Sequence, residues 1–158
     1  MSETRIVVVG ERPEESLPLE EIAEALLGGA VAAYPTETFY ALGAAAFSKQ
    51  GVERIYRLKG RDASKALPII ASDPDMVAGI AASLPASFAA LAAEFWPGPL
   101  TLVLPAAAGL PDFLVGPGRT VAVRIPPLAW LRGLVAELAE PRVELGEEIE
   151  SASQVAAG

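Results

Sequence analysis

Every apolar run in this 158-residue chain is stopped by a proline, a glycine or a charge before it reaches the roughly 20 residues a bilayer-spanning helix needs. Short apolar pieces that alternate in period are the raw material of an α/β fold, with some connections too short for a purely parallel sheet. Residues 3–10, ETRIVVVG, read as a first strand because four apolar residues run together, as in a sheet covered on both faces. Residues 18–29 read as an amphipathic helix, with Leu19, Ile22 and Leu26 on one face, Glu20, Glu21 and Glu24 on another, and Pro18 and Gly28 as punctuation. A second strand follows at residues 30–35, then a polar stretch, then a helix over residues 48–61 with Val52, Ile55 and Tyr56 inward and Lys59 continuing that face. Residues 67–72 read as a strand, 73–82 and 85–97 as helices, 99–106 and 120–126 as strands, and 128–140 as a last helix. Residues 141–158 begin acidic and end in small polar residues, and their pattern assigns no element.

The length suits one domain spanning residues 1–158. The N-terminal apolar run is shorter than a signal-peptide core and no small-residue cleavage site follows it, so the expectation is a cytoplasmic protein. With no cysteine and no histidine, thiolate chemistry, the commonest general base and the usual zinc ligands are all excluded. Chemistry must therefore use carboxylates, Lys, Arg, hydroxyls and backbone amides. A net charge of −8 argues against nonspecific coating of nucleic acid, which needs many neutralised phosphates.

Locally the charge reverses. Arg54, Arg57, Lys59, Arg61 and Lys65 are five of the 12 basic residues, with Asp62 set between the last two of them. Cations at a helix C-terminus suit the helix dipole, a reading that covers Arg57 and Lys59. Arg61 and Lys65 lie beyond Gly60 and fit better a loop that neutralises a polyphosphate. Neither GxxxxGK[ST] nor GxGxxG occurs, so a nucleotide would bind by another route. In the stretch YPTETFYALG, residues 34–43, the hydroxyls of Thr36 and Thr38 either close a turn or, together with Glu37, line a ligand cleft at a strand end. Phe95 and Trp96, before Pro-Gly-Pro, either wall a flat ligand or anchor the core. Arg124 alternates with Val121, Val123 and Ile125, so it projects from the opposite face, toward either a cleft or the surface.

Four motifs occur in order: YPTETFYALG, the Lys59–Pro68 segment KGRDASKALP, FWPGPLT over residues 95–101, and AVRIP over residues 122–126. Together they resemble the YrdC-like family, whose patterns are PT(D/E)T.YGLG, KGR followed by KPLP, FWPGPLT and GVRxP. The resemblance covers roughly residues 20–141 and implies a YrdC-like twisted open mixed sheet, flanked by helices, with a concave substrate cleft. It implies a nucleotidyltransferase: L-threonine, bicarbonate and ATP with Mg2+ yield threonylcarbamoyl-AMP and pyrophosphate. A tRNA threonylcarbamoyl transferase complex then takes the product to make threonylcarbamoyladenosine. Carried onto this chain, the resemblance puts Lys59, Arg61, Lys65 and Arg124 on ATP, with Lys59 and Arg61 as the catalytic pair, and Thr36 and Thr38 on threonine.

The pattern departs at Ala41 and Ala66, where the family has Gly and Pro, and in residues 141–158, where the family's Ser-x-Asn segment is expected and does not occur. Ser151 and Ser153 offer hydroxyls there, but the family role does not carry onto them. The expectation is a chain short by a strand and a loop. Two other readings accompany the synthase: a noncatalytic nucleotide- or RNA-binding module with weak direct RNA contact, and a carbamoyl-adenylate step in another pathway. No membrane association is expected.

Overall fold

A computed structural model describes residues 3–62 and 64–139, and residues 142–146 in their backbone. In chain order the elements are α1 (Pro13–Ser16), α2 (Leu19–Leu27), β1 (Ala32–Pro35), β2 (Tyr40–Ala45), α3 (Lys49–Lys59), β3 (Ile69–Ile70), α4 (Pro74–Ile80), α5 (Phe88–Phe95), β4 (Leu102–Pro105), β5 (Thr120–Arg124), α6 (Ala129–Leu138) and β6 (Arg142–Gly146), with a 3-10 turn at Asp112–Leu114. The strands form one open mixed sheet in the order β1-β2-β6-β3-β5-β4. β3 and β5 run parallel, and β6 lies antiparallel to both β2 and β3. The strand after the last helix thus sits mid-sheet.

Period-2 alternation sorts side chains onto two faces. Leu42, Ala44, Ile69, Val121 and Val123 point to one, where Val52 and Ile55 of α3, Val77 and Ile80 of α4 and Phe88 of α5 cover them. Tyr34, Ala41, Ala45 and Ile70 point to the other and meet Ala23 and Leu26 of α2 and Trp130, Leu131, Leu134 and Val135 of α6. Tyr34 and Trp130 pack edge to face with ring centroids 6.1 Å apart. Ala122 and Arg124 emerge on this second face, half-buried, outside its apolar cluster.

The helix ends follow from local chemistry. Ser48 caps α3, its hydroxyl accepting from the Gly51 N–H at 3.2 Å, and Gly60 ends that helix in the left-handed region at φ 58°. Gly51 also lets α3 approach β2, since a Cβ there would lie 3.0 Å from the Ala44 Cβ.

Two expectations are corrected. Residues 3–10 form no strand; Ile6 and Val8 are about four-fifths exposed (80% and 83%), and Arg5 pairs with Glu21 of α2 at 2.7 Å. An apolar run becomes a strand only where a neighbouring edge takes its N–H and C=O groups, and this run joins no edge. Conversely, residues 40–45 are a strand that the pattern did not suggest, because Ala and Gly are poor strand formers. The register of β2 against β1 and β6 supplies what its propensity lacks.

At the start of α4, Asp73 caps the helix by accepting from the Met76 N–H at 2.9 Å while the Ser72 hydroxyl donates to its other oxygen at 2.6 Å. The Ser72 hydrogen bond, then that from Met76, holds the carboxyl below its ordinary 3.8. Because the native pKa is depressed, the cap is in full effect above that ordinary value and is lost as pH falls through the lower native one. Asp73→Ala is expected to cost about 1 kcal/mol, roughly 2–4 °C in Tm, at neutral pH. Thermal melts should show the difference shrinking steadily below pH 3.8, the ordinary value.

Candidate functional site

β2 and β3 are both antiparallel to β6, so they run in the same direction, and β5 runs with them. The β1–β2 turn enters β2 at its N-terminal end, and the segment carrying Arg61 and Lys65 enters β3 at the same end of the sheet. A Cβ on Gly116 would lie 3.6 Å from the Ala66 Cβ and 3.4 Å from the Thr120 hydroxyl, which places that segment beside the start of β5. The sheet topology thus gathers the hydroxyl turn and the cationic segment onto one end.

Within the hairpin, Thr36 is the pivot. Its N–H donates to the Phe39 carbonyl at 3.1 Å and its hydroxyl donates to the same oxygen at 2.5 Å. That hydroxyl also accepts from the N–H groups of Phe39 at 3.2 Å and Thr38 at 3.3 Å. A hydroxyl has one donor and two acceptor sites, so Thr36 is fully used in shaping the turn. The Thr38 hydroxyl, 3.4 Å from that of Thr36, and the half-exposed Phe39 ring form the outer surface of the turn.

Glu37, between the threonines, ties the tip to a distant strand: its carboxylate accepts from the Arg124 guanidinium at 2.5 Å, across 87 residues. Arg124 ends β5 at the opposite end of the sheet from the turn, so the hairpin tip leans over the second face to reach it. Their side chains are only 13% and 23% exposed, which weakens solvent screening and sets this pair apart from the exposed Arg5–Glu21 bridge. The sequence reading set Glu37 with the two threonines along a ligand cleft, and neither motif reveals its long-range partner Arg124.

The cationic segment starts at Lys59, half-buried on the last turn of α3. Past Gly60 the chain folds back on Tyr56: the Arg61 N–H donates to the Tyr56 carbonyl at 3.1 Å, and the Tyr56 hydroxyl donates to the Lys65 carbonyl at 2.9 Å. The Arg61 side chain lies along the same turn, with Nε 3.4 Å from the Lys65 carbonyl and one terminal nitrogen 3.5 Å from that of Ala66. Asp62 accepts from the Ser64 N–H at 2.9 Å, and that bond holds its carboxyl below the ordinary carboxylate value. Burial pushes the Tyr56 phenol above its ordinary 10.0, against the Arg61 charge, which lowers it. Trp96 takes the core alternative: it is buried, packs edge to face on Phe88 with centroids 5.8 Å apart, and donates its indole N–H to the Leu100 carbonyl at 2.7 Å. Phe95 is half-exposed. Ser151 and Ser153 lie outside the described residues. Among the described residues no group of three or more Asp or Glu side chains is placed to hold a metal ion, and no helix is long and apolar enough to cross a membrane.

An open mixed sheet, covered by helices and carrying a hydroxyl turn and a cationic segment at one end, defines an α/β protein. A family model named Sua5_yciO_yrdC and described as telomere recombination matches residues 24–152, and the chain belongs to that family. A threonylcarbamoyl-AMP synthase of Pyrococcus abyssi is 42% identical over 123 residues, 78% of this chain and 36% of that protein. The enzyme of the same name from Nitrosococcus oceani is 41% identical over 103 residues, 65% of this chain and 56% of its own length. Among solved structures, P. abyssi Sua5 complexed with L-threonine superposes with a TM-score of 0.80 at 34% identity, covering 88% of this chain and 43% of that one. YciO of E. coli shares the fold, with a TM-score of 0.70 at 24% identity over 80% of this chain and 62% of its own. The chain thus spans about a third to three-fifths of the length of these relatives.

Thr36→Val removes a hydroxyl that serves three backbone groups and is expected to cost about 1–3 kcal/mol in urea denaturation. Thr38→Val, whose hydroxyl faces outward, should stay within about 0.5 kcal/mol.

Proposed function

We propose that this chain is an L-threonylcarbamoyladenylate synthase, which joins L-threonine, bicarbonate and ATP with release of pyrophosphate. The observation that carries this reading is the 34% identity and 0.80 TM-score to the L-threonine complex of P. abyssi Sua5, across 88% of the chain. The product would pass to a tRNA threonylcarbamoyl transferase complex in the cytoplasm.

The chemistry asks little of a protein nucleophile, which suits a chain without His or Cys. The threonine amine takes up bicarbonate as a carbamate with loss of water; a carbamate oxygen then attacks the α-phosphorus of ATP, and the bond to the departing pyrophosphate breaks. Positioning and charge stabilisation carry such a phosphorus displacement. In this reading Lys59, Arg61 and Lys65 neutralise the triphosphate as negative charge moves onto the leaving pyrophosphate. Arg61 uses a planar fork of donors there, while the two lysines act as point charges. With no acidic cluster among the described residues, Mg2+ would arrive on the triphosphate oxygens as part of the nucleotide substrate. Thr38 contacts threonine or its carbamate directly; Thr36 contributes by setting the turn that presents Thr38. Arg124, steadied by Glu37, adds a cation on the face over which the tip leans.

Pyrophosphate release from ATP with Mg2+ and bicarbonate should depend on L-threonine. Lys59→Ala and Arg61→Ala should each lower that rate about 10²–10³-fold, the usual loss for one preorganised charge donor, with circular dichroism unchanged. Full activity in both variants would remove the phosphate assignment, and threonine-independent release would remove the substrate.

A further inference from the structure

The turn that carries Arg61 and Lys65 is closed by Tyr56 at both of its ends. At the base, the Tyr56 carbonyl takes the Arg61 N–H at 3.1 Å; at the top, the Tyr56 hydroxyl reaches the Lys65 carbonyl at 2.9 Å. One residue on the last turns of α3 thus pins the segment to a buried helix face, beside Val52 and Ile55.

The Lys65 carbonyl has a second donor, the Arg61 Nε, at 3.4 Å, and the other Arg61 contact, to Ala66, is 3.5 Å long. Both exceed the 2.9–3.0 Å at which N–H···O bonds are commonest, whereas the tyrosine bond is of ordinary length. The two donors therefore differ in hold. Guanidinium contacts of that length to neutral carbonyls are weak beside a bidentate contact to a phosphate oxygen pair, so an arriving anion draws the guanidinium away cheaply. The Lys65 carbonyl it leaves keeps the tyrosine hydroxyl as its donor, so the closure of the turn does not depend on the arginine.

We propose that Tyr56 is a positioning residue: its hydroxyl keeps the turn closed while Arg61 transfers its guanidinium from the Lys65 and Ala66 carbonyls to a phosphate group of the ligand. Arg61 is thus a two-position arm, parked on its own backbone until a polyphosphate arrives, and Tyr56 makes the transfer possible without opening the turn. The role rests on the synthase reading above, through the phosphate assignment of Arg61. In a chain with phenylalanine at this position, Arg61 would be the remaining side-chain donor of that pair on the Lys65 carbonyl, and every anion would compete with the loop for it.

The test is ATP–Mg2+ affinity by calorimetry for the full chain, Tyr56→Phe, Arg61→Ala and the double variant, with stability followed by urea denaturation. Tyr56→Phe should weaken ATP about tenfold and leave L-threonine affinity unchanged. In the Arg61→Ala background the same change should weaken ATP less than about twofold, because the arm it serves is gone. Additive losses, or equal losses for ATP and L-threonine, would mean that the hydroxyl only supports the fold and would overturn the proposal. Unchanged ATP affinity in Tyr56→Phe, with the parent protein binding normally, would overturn it while leaving the synthase reading in place. No ATP binding by the parent protein would overturn both. A crystal structure of the parent protein with inorganic pyrophosphate checks the same point without a variant: Arg61 should have left both carbonyls with the Tyr56–Lys65 hydrogen bond retained, and Arg61 still on its carbonyls beside bound pyrophosphate would sink the two-position arm.

Discussion

The whole architecture depends on the backbone pairing of β6. Residues 142–146 run antiparallel to β2 on one side and to β3 on the other. Without that strand the sheet is two separate pieces, the β1–β2 hairpin and the β3-β5-β4 group, each with a bare edge of N–H and C=O groups. The hydroxyl turn belongs to the first piece and the cationic segment leads into the second, so one strand sets the distance between the two halves of the candidate site. A chain segment that reads in sequence as a terminal appendage is the central plank of the sheet.

Charge refines what the backbone sets out. The Glu37–Arg124 pair pulls the tip of the first piece toward the second across the sheet face, and its low exposure preserves the attraction from salt. On the other side, α3 ends at Gly60 with Lys59 on its last turn, and the following residues double back onto Tyr56. The cations thus stand on a helix whose apolar face is locked into the core, which is firmer support than a free loop would provide. Short hydrogen bonds fix the backbone of the cationic turn, and long ones leave its arginine easy to redirect.

Much of this was legible because the cues were local. The helices read over residues 48–61 and 73–82 and the alternation through Val121 and Val123 each place an element within a residue or two of where it stands. The turn reading of Thr36 was likewise written in its immediate neighbours. What escaped was set at a distance. Nothing near Glu37 names an arginine 87 residues away as its partner, and nothing in residues 142–146 tells a central strand from a trailing end. Residues 3–10 mislead for the converse reason: apolar composition states a preference for burial, and only a free edge in the right place could satisfy it. Tyr56 was assigned to the core through its ring, while its hydroxyl, the part that reaches the cationic turn, has no periodicity to betray it.

The small side chains of β2 carry a consequence of another kind. Ala41, Ala44 and Ala45, and Ala46 just beyond its end, are all fully buried, with the Ala44 methyl group set against Gly51 of α3. In most cores the penalty for a substitution grows with what is removed; here there is almost nothing to remove, and the penalty grows with what is added. An extra methylene at Ala44 would wedge α3 outward and carry Tyr56, Lys59 and Arg61 with it, while one at Ala41 or Ala45 would press on α2 and α6 across the other face. Tolerance in this part of the chain is therefore governed by volume before polarity, and a lineage drifting under mutation would meet its boundary there as a ceiling on size, at positions that touch no ligand.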